Sequence, residues 1–241
     1  MPRERAQDYD QKRLAILDKS AALFAHYGFH GTSMTMIADA CRVSKALFYH
    51  YYPDKEEVLF DILQRHLHEL VMVTQKALLT AQKPRDRLFL ISAALLQAYK
   101  NADAKHQVQI ANLRLLPPKR QEVLRSMERT LVEIFSGAIT DAVPKLANNP
   151  MLKAITMSLF GMLNWHYLWF KEGKGLTREQ FAKLATELVA MGSESASKAV
   201  ASANPSFRPL ASGGKTTPRR DHHASQKSDR KFSKTRISQA V

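Results

Sequence analysis

Apolar residues recur every three or four positions through most of residues 10–192, which is the spacing of helices that each bury one face. Near the N-terminus one such stripe is formed by Leu14, Leu17, Ala21, Phe24 and Ala25. The stripe ends at Gly28 and Gly31, because glycine readily adopts the conformations that close a helix. The pattern therefore predicts a first helix from about residue 10 to these glycines.

Two short apolar segments follow, MTMIADA at residues 34–40 and KALFYHYY at residues 45–52. The tetrapeptide CRVS between them predicts a tight turn, and Ser44 is well placed to cap the second helix. Pro53 ends that helix because it has no N–H to donate and its ring clashes with the preceding turn. Asp54 then caps a long predicted helix from about Lys55 to Thr80.

Prolines divide the rest of the chain into further helical segments. The predicted boundaries are residues 84–101, 104–115, 118–142, 150–171 and 177–191. Because no useful stretch alternates with period two, the sequence predicts an all-α protein of about nine helices. Residues 193–241 are rich in Ser, Lys, Arg, Pro and Gly, so they are predicted to form a disordered basic tail.

Composition limits the location and the partners of the protein. The formal net charge is +14, yet residues 1–60 carry eight cationic and eight acidic side chains. The surplus lies in residues 61–120 and in the tail, which indicates an acidic partner. The longest apolar run, residues 88–96, is far shorter than the roughly 20 residues of a membrane span. With a single cysteine and a charged N-terminus, a cytoplasmic protein with no membrane partner is expected.

The two short segments have the layout of a helix-turn-helix, whose second helix packs one face and presents the other to the DNA major groove. Phe48 and Tyr52 lie four positions apart, so both can pack on the first helix and on Ile37. The other faces of this helix carry Lys45, Tyr49 and His50, whose side chains can reach phosphates and base edges, and the small Ala46, which permits close approach. Residues 1–54 are therefore expected to form a DNA-binding domain.

Residues 11–59 resemble the DNA-binding domain of the TetR family of bacterial transcriptional regulators. The matching segments are ILDKSAALFAHYGFHGTSM and IADACRVSKALFYHYYPDKEEVL. The resemblance implies a DNA-contacting set of Thr35, Ser44, Lys45, Ala46, Tyr49, His50, Tyr51 and Lys55. Arg42 and Ala46 depart from the family pattern, since glycine is usual at both positions. Arg42 must therefore accept the backbone geometry that the turn imposes.

The same resemblance implies that residues 55–192 form a helical ligand-binding and dimerisation domain. The segments NLRLLPPKRQEV and LFGMLNWHYLWFKEGKGLTREQFAKLATELV are similar to the branch of the family that responds to acyl-coenzyme A thioesters, in catabolism of fatty acids, sterol-derived acids or phenylacetate. Such a site needs cations beside an apolar slot, and residues 61–120 supply a positive surplus. The expected effector-binding residues are Tyr99, Leu113, Arg114, Phe160, Asn164, Trp165 and Trp169.

A homodimer is expected, because two recognition helices must reach successive major-groove faces of a palindromic double-stranded DNA operator. Small residues and an apolar stripe on the last two long helices suit a four-helix interface, namely Ala154, Ser158, Gly161, Leu184, Leu188 and Met191. The protein is therefore predicted to be a repressor that leaves its operator when it binds an acyl-CoA, either an aromatic one such as phenylacetyl-CoA or a fatty acyl-CoA.

Three other functions stay open on the sequence alone. A repressor that senses a lipophilic cation or drug would need acidic residues near its pocket. Residues 83–121 offer only Asp86 and Asp103. A helical acyl-CoA enzyme would need a catalytic base or nucleophile, and none is evident, so no catalytic residue or cofactor is expected. No metal site is expected either, since His26 and His30 lack further ligands. The third alternative is an architectural DNA binder that no small molecule releases.

Overall fold

Three helices form an N-terminal bundle in the computed structural model, which describes residues 2–100 and 102–203, with side chains from residue 9 onward. They are α1 (Pro2–Gly31), α2 (Met34–Cys41) and α3 (Lys45–Tyr51). Phe48 and Tyr52 are buried together with Ile37 and with Phe24 of α1. The predicted division of the aromatic cluster into a buried face and an exposed face is therefore confirmed for Phe48 and Tyr52.

Side-chain caps define the starts of the next helices. The Oγ of Ser33 accepts the N–H of Met36 at the start of α2, at 3.1 Å. Ser44 caps α3 through the N–H of Leu47, as the sequence predicted, at 3.2 Å. At Gly28, the backbone of α1 leaves the helical region (φ 76°, ψ 162°), which only glycine adopts without strain.

The rest of the described chain is a layered helical domain built around one long helix. Its helices are α4 (Lys55–Thr80), α5 (Pro84–Ala98), α6 (Asp103–Asn112), α7 (Pro118–Ala142), α8 (Leu152–Asn164), α9 (His166–Trp169) and α10 (Arg178–Ala203). Helix α4 packs against α1, α5, α6 and α7, so it belongs to both parts of the fold. The all-α prediction is confirmed, since the described residues contain no strand.

One predicted helix is divided into two in the structure. The helix predicted for residues 150–171 breaks at Trp165, which separates α8 from the single turn of α9. The break places the ring of His166 in the core, 4.1 Å from the ring of Phe170 and 5.0 Å from that of Phe181. The free-energy cost of ending the helix is thus offset by the packing of the His166 ring against Phe170 and Phe181.

The prediction that residues 193–241 form a disordered tail is wrong for residues 193–203. Helix α10 continues to Ala203, and Ser193 and Ser197 are buried on its inner face. Glu194 adds ion pairs to Lys145, at 2.8 Å, and to Lys198, at 2.9 Å. Small residues at helical spacing can pack closely without large apolar side chains, which composition alone does not register. The remainder of the predicted tail, residues 204–241, lies outside the described residues.

Within the described ranges, no helix combines the length and the apolar character that crossing a bilayer requires.

Candidate DNA-binding surface and ligand cavity

One surface of the N-terminal bundle carries most of the predicted DNA-contacting side chains. Six of the eight predicted residues are solvent-exposed, namely Thr35, Ser44, Lys45, Ala46, Tyr49 and His50. Thr35 lies in the first turn of α2, while the others follow the turn into α3. The structure therefore leaves the outer face of α3 accessible to a double helix.

Tyr51 and Lys55 are more enclosed than the other six. The ring of Tyr51 stacks on that of Tyr9 from α1, with 4.7 Å between the centroids. The ammonium of Lys55 donates to the carbonyls of Phe29 and Thr32, at 2.8 and 2.7 Å, at the end of α1. An ammonium has three protons, so one is left for a further acceptor such as a phosphate. Contact of these two residues with DNA stays a prediction.

A buried carboxylate connects the helix-turn-helix to α4. Asp61 accepts hydrogen bonds from the phenol of Tyr52, at 2.5 Å, and from Arg13 of α1, at 2.9 Å. Its other oxygen accepts from Arg65 at 3.1 Å. Burial is the main reason that the pKa of Tyr52 is raised above its ordinary value, and the carboxylate raises it further. Two cations and a phenol thus offset the cost of burying this charge.

A cavity of about 890 Å³ lies among α4, α6, α7 and α8. Its inner wall is made of buried side chains, including Leu70, Leu113, Leu131 and Phe160. The volume lies within the range of small-molecule sites, about 300–1,000 Å³. Five of the seven predicted ligand residues line it, namely Tyr99, Leu113, Arg114, Phe160 and Asn164.

Asn164 is held by two hydrogen bonds at the inner end of this cavity. Tyr99 donates from its hydroxyl to Oδ1 of Asn164 at 2.8 Å. The Nε2 of His106 lies 3.2 Å from the main-chain oxygen of Asn164. Burial raises the pKa of Tyr99 and lowers that of His106, so both groups are neutral near pH 7. The inner end is therefore polar but uncharged.

The rim of the cavity is charged. Its cationic side chains are Arg114, Arg125, Arg129 and Lys153, and its acidic side chains are Glu128 and Glu133. Arg129 pairs with Glu122 at 2.5 Å, outside the lining. The carboxylates of Glu128 and Glu133 lie on α7, beyond residues 83–121, where the sequence offers only Asp86 and Asp103. The lining nevertheless keeps a positive surplus.

Five of the ten cationic side chains in residues 61–120 form ion pairs outside the cavity lining, namely Arg65, Arg87, Lys100, Lys105 and Arg120. Arg120 pairs with Glu57 at the start of α4 and lies over the ring of Phe60. Lys105 pairs with Asp18 of α1 at 2.7 Å. These ion pairs connect the two parts of the fold, which explains why a charge count along the sequence did not locate the site.

Trp165 and Trp169, the other two predicted effector-binding residues, lie outside the cavity lining, and the helix break at Trp165 separates them. Both indoles are 55% exposed. Trp169 packs edge-on against His166 and Phe181. The tryptophans therefore form part of a surface patch in the isolated chain.

The most informative missed residue is His106. It lies seven positions before Leu113, with Gln109 and Ile110 between them, so these four share one face of the predicted segment 104–115. All four line the cavity. An imidazole and an amide beside Ile110 and Leu113 on one helical face were the signal available in the sequence.

A second depression of about 550 Å³ lies among α1, α4 and α6. It is lined by charged groups that already have partners, such as Arg13 with Asp61 and Lys105 with Asp18. Its lining also includes the buried side chains of Leu17, Ile62 and His66. Across the described residues, no group of three or more His, Cys, Asp or Glu is arranged to hold a metal ion.

The fold and the exposed face of α3 define a helical DNA-binding regulator. The family model described as bacterial regulatory proteins, tetR family, matches residues 16–62. A second model, tetracyclin repressor-like, C-terminal domain, matches residues 81–193. The chain belongs to the TetR family of DNA-binding transcriptional regulators.

Solved structures and curated relatives extend the similarity over both parts of the chain. A TetR-family transcriptional regulator from Bordetella parapertussis 12822 is 32% identical, with a TM-score of 0.69 over 73% of this chain and 93% of the other. AibR in complex with isovaleryl coenzyme A and operator DNA is 26% identical, with a TM-score of 0.62 over 73% and 97%. The uncharacterized HTH-type transcriptional regulator YhgD of Bacillus subtilis (strain 168) is 26% identical over 76% of this chain and 96% of its own length.

Proposed function

We propose that this regulator is a homodimeric repressor that leaves a palindromic operator when an acyl-CoA thioester occupies the cavity. The observation that carries the proposal is the division of the cavity into a buried apolar interior and a rim with four cations. Coenzyme A is a phosphate-rich arm attached to an acyl group, so one ligand satisfies both regions. The similarity to AibR, whose structure holds isovaleryl coenzyme A and operator DNA, supports the same effector class.

Two structural links connect the cavity to the DNA-binding helices. Helix α4 carries both Leu70 of the cavity wall and Asp61 of the buried network, about 14 Å apart along the helix axis. Helix α6 lines the cavity through His106 and contacts α1 through the Lys105–Asp18 ion pair. A ligand that displaces α4 or α6 therefore changes the position of α1 and α3. Release of DNA requires that the ligand bind the two arrangements with different affinity.

The dimer interface is assigned to the outer faces of α8 and α10. Leu184, Leu188 and Met191 form an exposed apolar stripe on α10, and Leu188 and Met191 are 56% and 71% exposed. Beside them α8 presents Ala154 and Ser158, both exposed, and the half-buried Gly161. Small residues allow close approach of a second pair of helices, and the apolar stripe supplies the buried area.

A gel-shift experiment tests the proposal. The full-length protein is bound to the DNA upstream of its own gene and challenged with phenylacetyl-CoA, isovaleryl-CoA and long-chain acyl-CoAs, with the free acids as matched controls. We expect release by a thioester and no release by the corresponding acid. Release by free acids alone contradicts the coenzyme A assignment, and retention on DNA with every compound contradicts release by an acyl effector.

Glu128 and Glu133 in the lining favour a second candidate, a repressor that senses a lipophilic cation. Glu128 accepts a hydrogen bond from Gln109 at 3.0 Å, so it has a partner that a cation would have to share. Tetraphenylphosphonium in the same gel shift separates the two candidates. Release by this cation and not by any thioester supports the second one.

A further inference from the structure

Leu47 is an exposed aliphatic side chain in the first turn of the recognition helix α3. The next residue, Phe48, is fully buried, whereas Leu47 is 40% exposed. The N–H of Leu47 donates to Oγ of Ser44, the N-cap of α3, at 3.2 Å. Leu47 therefore lies at the N-terminal end of α3, the end that contacts base edges in helix-turn-helix proteins. It is not one of the eight side chains that the family resemblance implies as DNA contacts.

The helical positions of α3 place Leu47 at one edge of its exposed face. Ala46 and His50 lie four positions apart and form one exposed stripe of this face. Leu47 and Tyr51, also four positions apart, form the neighbouring stripe. The ring of Tyr51 stacks on that of Tyr9 from α1, so this edge of the exposed face is apolar and aromatic.

The other edge of the exposed face has polar chemistry. Lys45 and Tyr49 lie there, with the ammonium 6.0 Å from the centre of the phenol ring. These two side chains can form hydrogen bonds with phosphates and base edges. Leu47 has no hydrogen-bonding group, so it cannot recognise the donors and acceptors that distinguish most bases. The apolar group that a base displays in the major groove is the C5 methyl group of thymine.

We propose that Leu47 recognises the C5 methyl group of one thymine for each recognition helix that enters the major groove. The contact removes apolar surface of both partners from water, and the small side chain of Ala46 allows the first turn of α3 to approach the base pair closely. The inference rests on DNA binding through α3, which the family establishes. It does not depend on the effector, and it names a base that the operator contains at a fixed position.

Deoxyuridine tests the inference, because it differs from thymidine only in lacking the C5 methyl group. Binding sites are first selected from a pool of random duplexes with the full-length protein. Each thymine of the selected duplex is then replaced in turn by deoxyuridine, and the affinity is measured by fluorescence anisotropy. At one thymine for each recognition helix, we expect the wild type to bind about fourfold more weakly without the methyl group. If no replacement weakens binding, the inference is wrong.

Leu47→Ala identifies the side chain that contacts this methyl group. The variant should bind the thymine and uracil duplexes with nearly equal affinity at that position and keep the wild-type response at every other thymine. Leu47→Met supplies a flexible apolar side chain of similar size and should restore the discrimination. Discrimination that persists undiminished in Leu47→Ala overturns the inference.

Two further variants separate the methyl contact from other causes. Ala46→Gly removes the neighbouring methyl group, and discrimination that is lost in this variant but kept in Leu47→Ala would assign the thymine to Ala46 instead. Lys45→Ala should weaken binding of both duplexes by the same factor, so a general loss of affinity does not imitate the loss of the contact. Low salt keeps weakly binding variants measurable, because affinity for DNA rises as the salt concentration falls. No effector is present in these measurements, so they can fail only through the inference and not through the acyl-CoA assignment.

Discussion

The phenol of Tyr52 donates a hydrogen bond of 2.5 Å to the buried carboxylate of Asp61, which joins the residue that ends the recognition helix to the long helix α4. Arg13 of α1 contacts both groups. Helix α1, the end of α3 and helix α4 must therefore move together. Separating them would leave a buried carboxylate without partners, which has a large cost in free energy. The orientation of α3 is thus coupled to a helix that also forms the cavity wall.

Tyr52→Phe should lower the free energy of unfolding by about 2 kcal/mol, since it removes one hydrogen bond to a buried charge and keeps the ring. Urea denaturation at pH 7.5 measures this change. Tyr49→Phe is the matched control, because Tyr49 is exposed on α3 and the substitution likewise removes only a hydroxyl. Equal stabilities of the two variants would contradict the importance of the Tyr52–Asp61 bond.

Arg42→Gly should stabilise the unliganded protein by about 1 kcal/mol. Arg42 has φ 57° and ψ 40°, the left-handed region that glycine occupies without steric cost. Its N–H reaches the carbonyl of Asp39 at 3.0 Å, and the N–H of Val43 reaches that of Ala38 at 3.1 Å, so the residue closes α2. The melting temperature of the variant measures the gain.

Asp39→Gly is the control for this substitution. Asp39 is exposed and lies inside α2, where glycine costs about 1 kcal/mol relative to a good helix former. The two glycine substitutions should therefore change stability in opposite directions. A loss at position 42 would mean that the Arg42 side chain contributes more than its backbone conformation costs.

Local chemistry made the N-terminal part of the fold predictable. Asp54 caps α4 through the N–H of Glu57 at 2.7 Å, and the predicted start and end of that helix, Lys55 and Thr80, match the structure. Pro118 likewise opens α7 at the predicted residue. Caps and prolines act within one helical turn, so the sequence around them contains the whole cause.

The cavity was less predictable because it depends on contacts between distant segments. Tyr99 and Asn164 are 65 residues apart, and their hydrogen bond cannot be inferred from the spacing in either segment. The break at Trp165 depends on the burial of His166 against Phe181, which a helical pattern does not reveal. Sequence identified the residue types of the site, but packing decided which of them face the cavity.

Lys45→Ala should weaken operator binding about tenfold and reduce the dependence of the affinity on salt. Lys45 is exposed at the start of α3, where an ammonium can reach a phosphate or a base edge. Fluorescence anisotropy with an operator duplex at several salt concentrations measures both effects, since each lost phosphate contact lowers the salt slope by about one. Lys76→Ala on α4 removes the same charge far from α3 in sequence and should leave both quantities unchanged.

Leu188→Glu should convert the proposed dimer into a folded monomer that binds the operator weakly. A carboxylate in the middle of an apolar interface is desolvated without a partner, whereas on a free surface it stays hydrated. Light scattering gives the mass and circular dichroism the helix content. Leu79→Glu is the control, because Leu79 is 87% exposed on α4. A dimeric Leu188→Glu protein would place the interface elsewhere.

Stability should decrease as the pH falls from 7.5 to 5.5, and His66 should account for part of this decrease. Burial lowers the pKa of His66 to about 3 in the folded protein, against 6.5 for an ordinary histidine. The folded state therefore stays unprotonated at this position across the interval, while the unfolded state takes up a proton below about pH 6.5. Protonation that favours only the unfolded state destabilises the fold as the pH falls.

The size of the effect follows from the two pKa values. One histidine that is protonated only in the unfolded state costs about 1.4 kcal/mol between pH 7.5 and 5.5. Urea denaturation of the wild type and of His66→Leu at both pH values, at one protein concentration, isolates this contribution. The wild type should lose about 1.4 kcal/mol more than the variant, which has no titrating group at position 66. Equal losses would mean that His66 takes up a proton in the folded protein as well, so that its pKa is not lowered by burial.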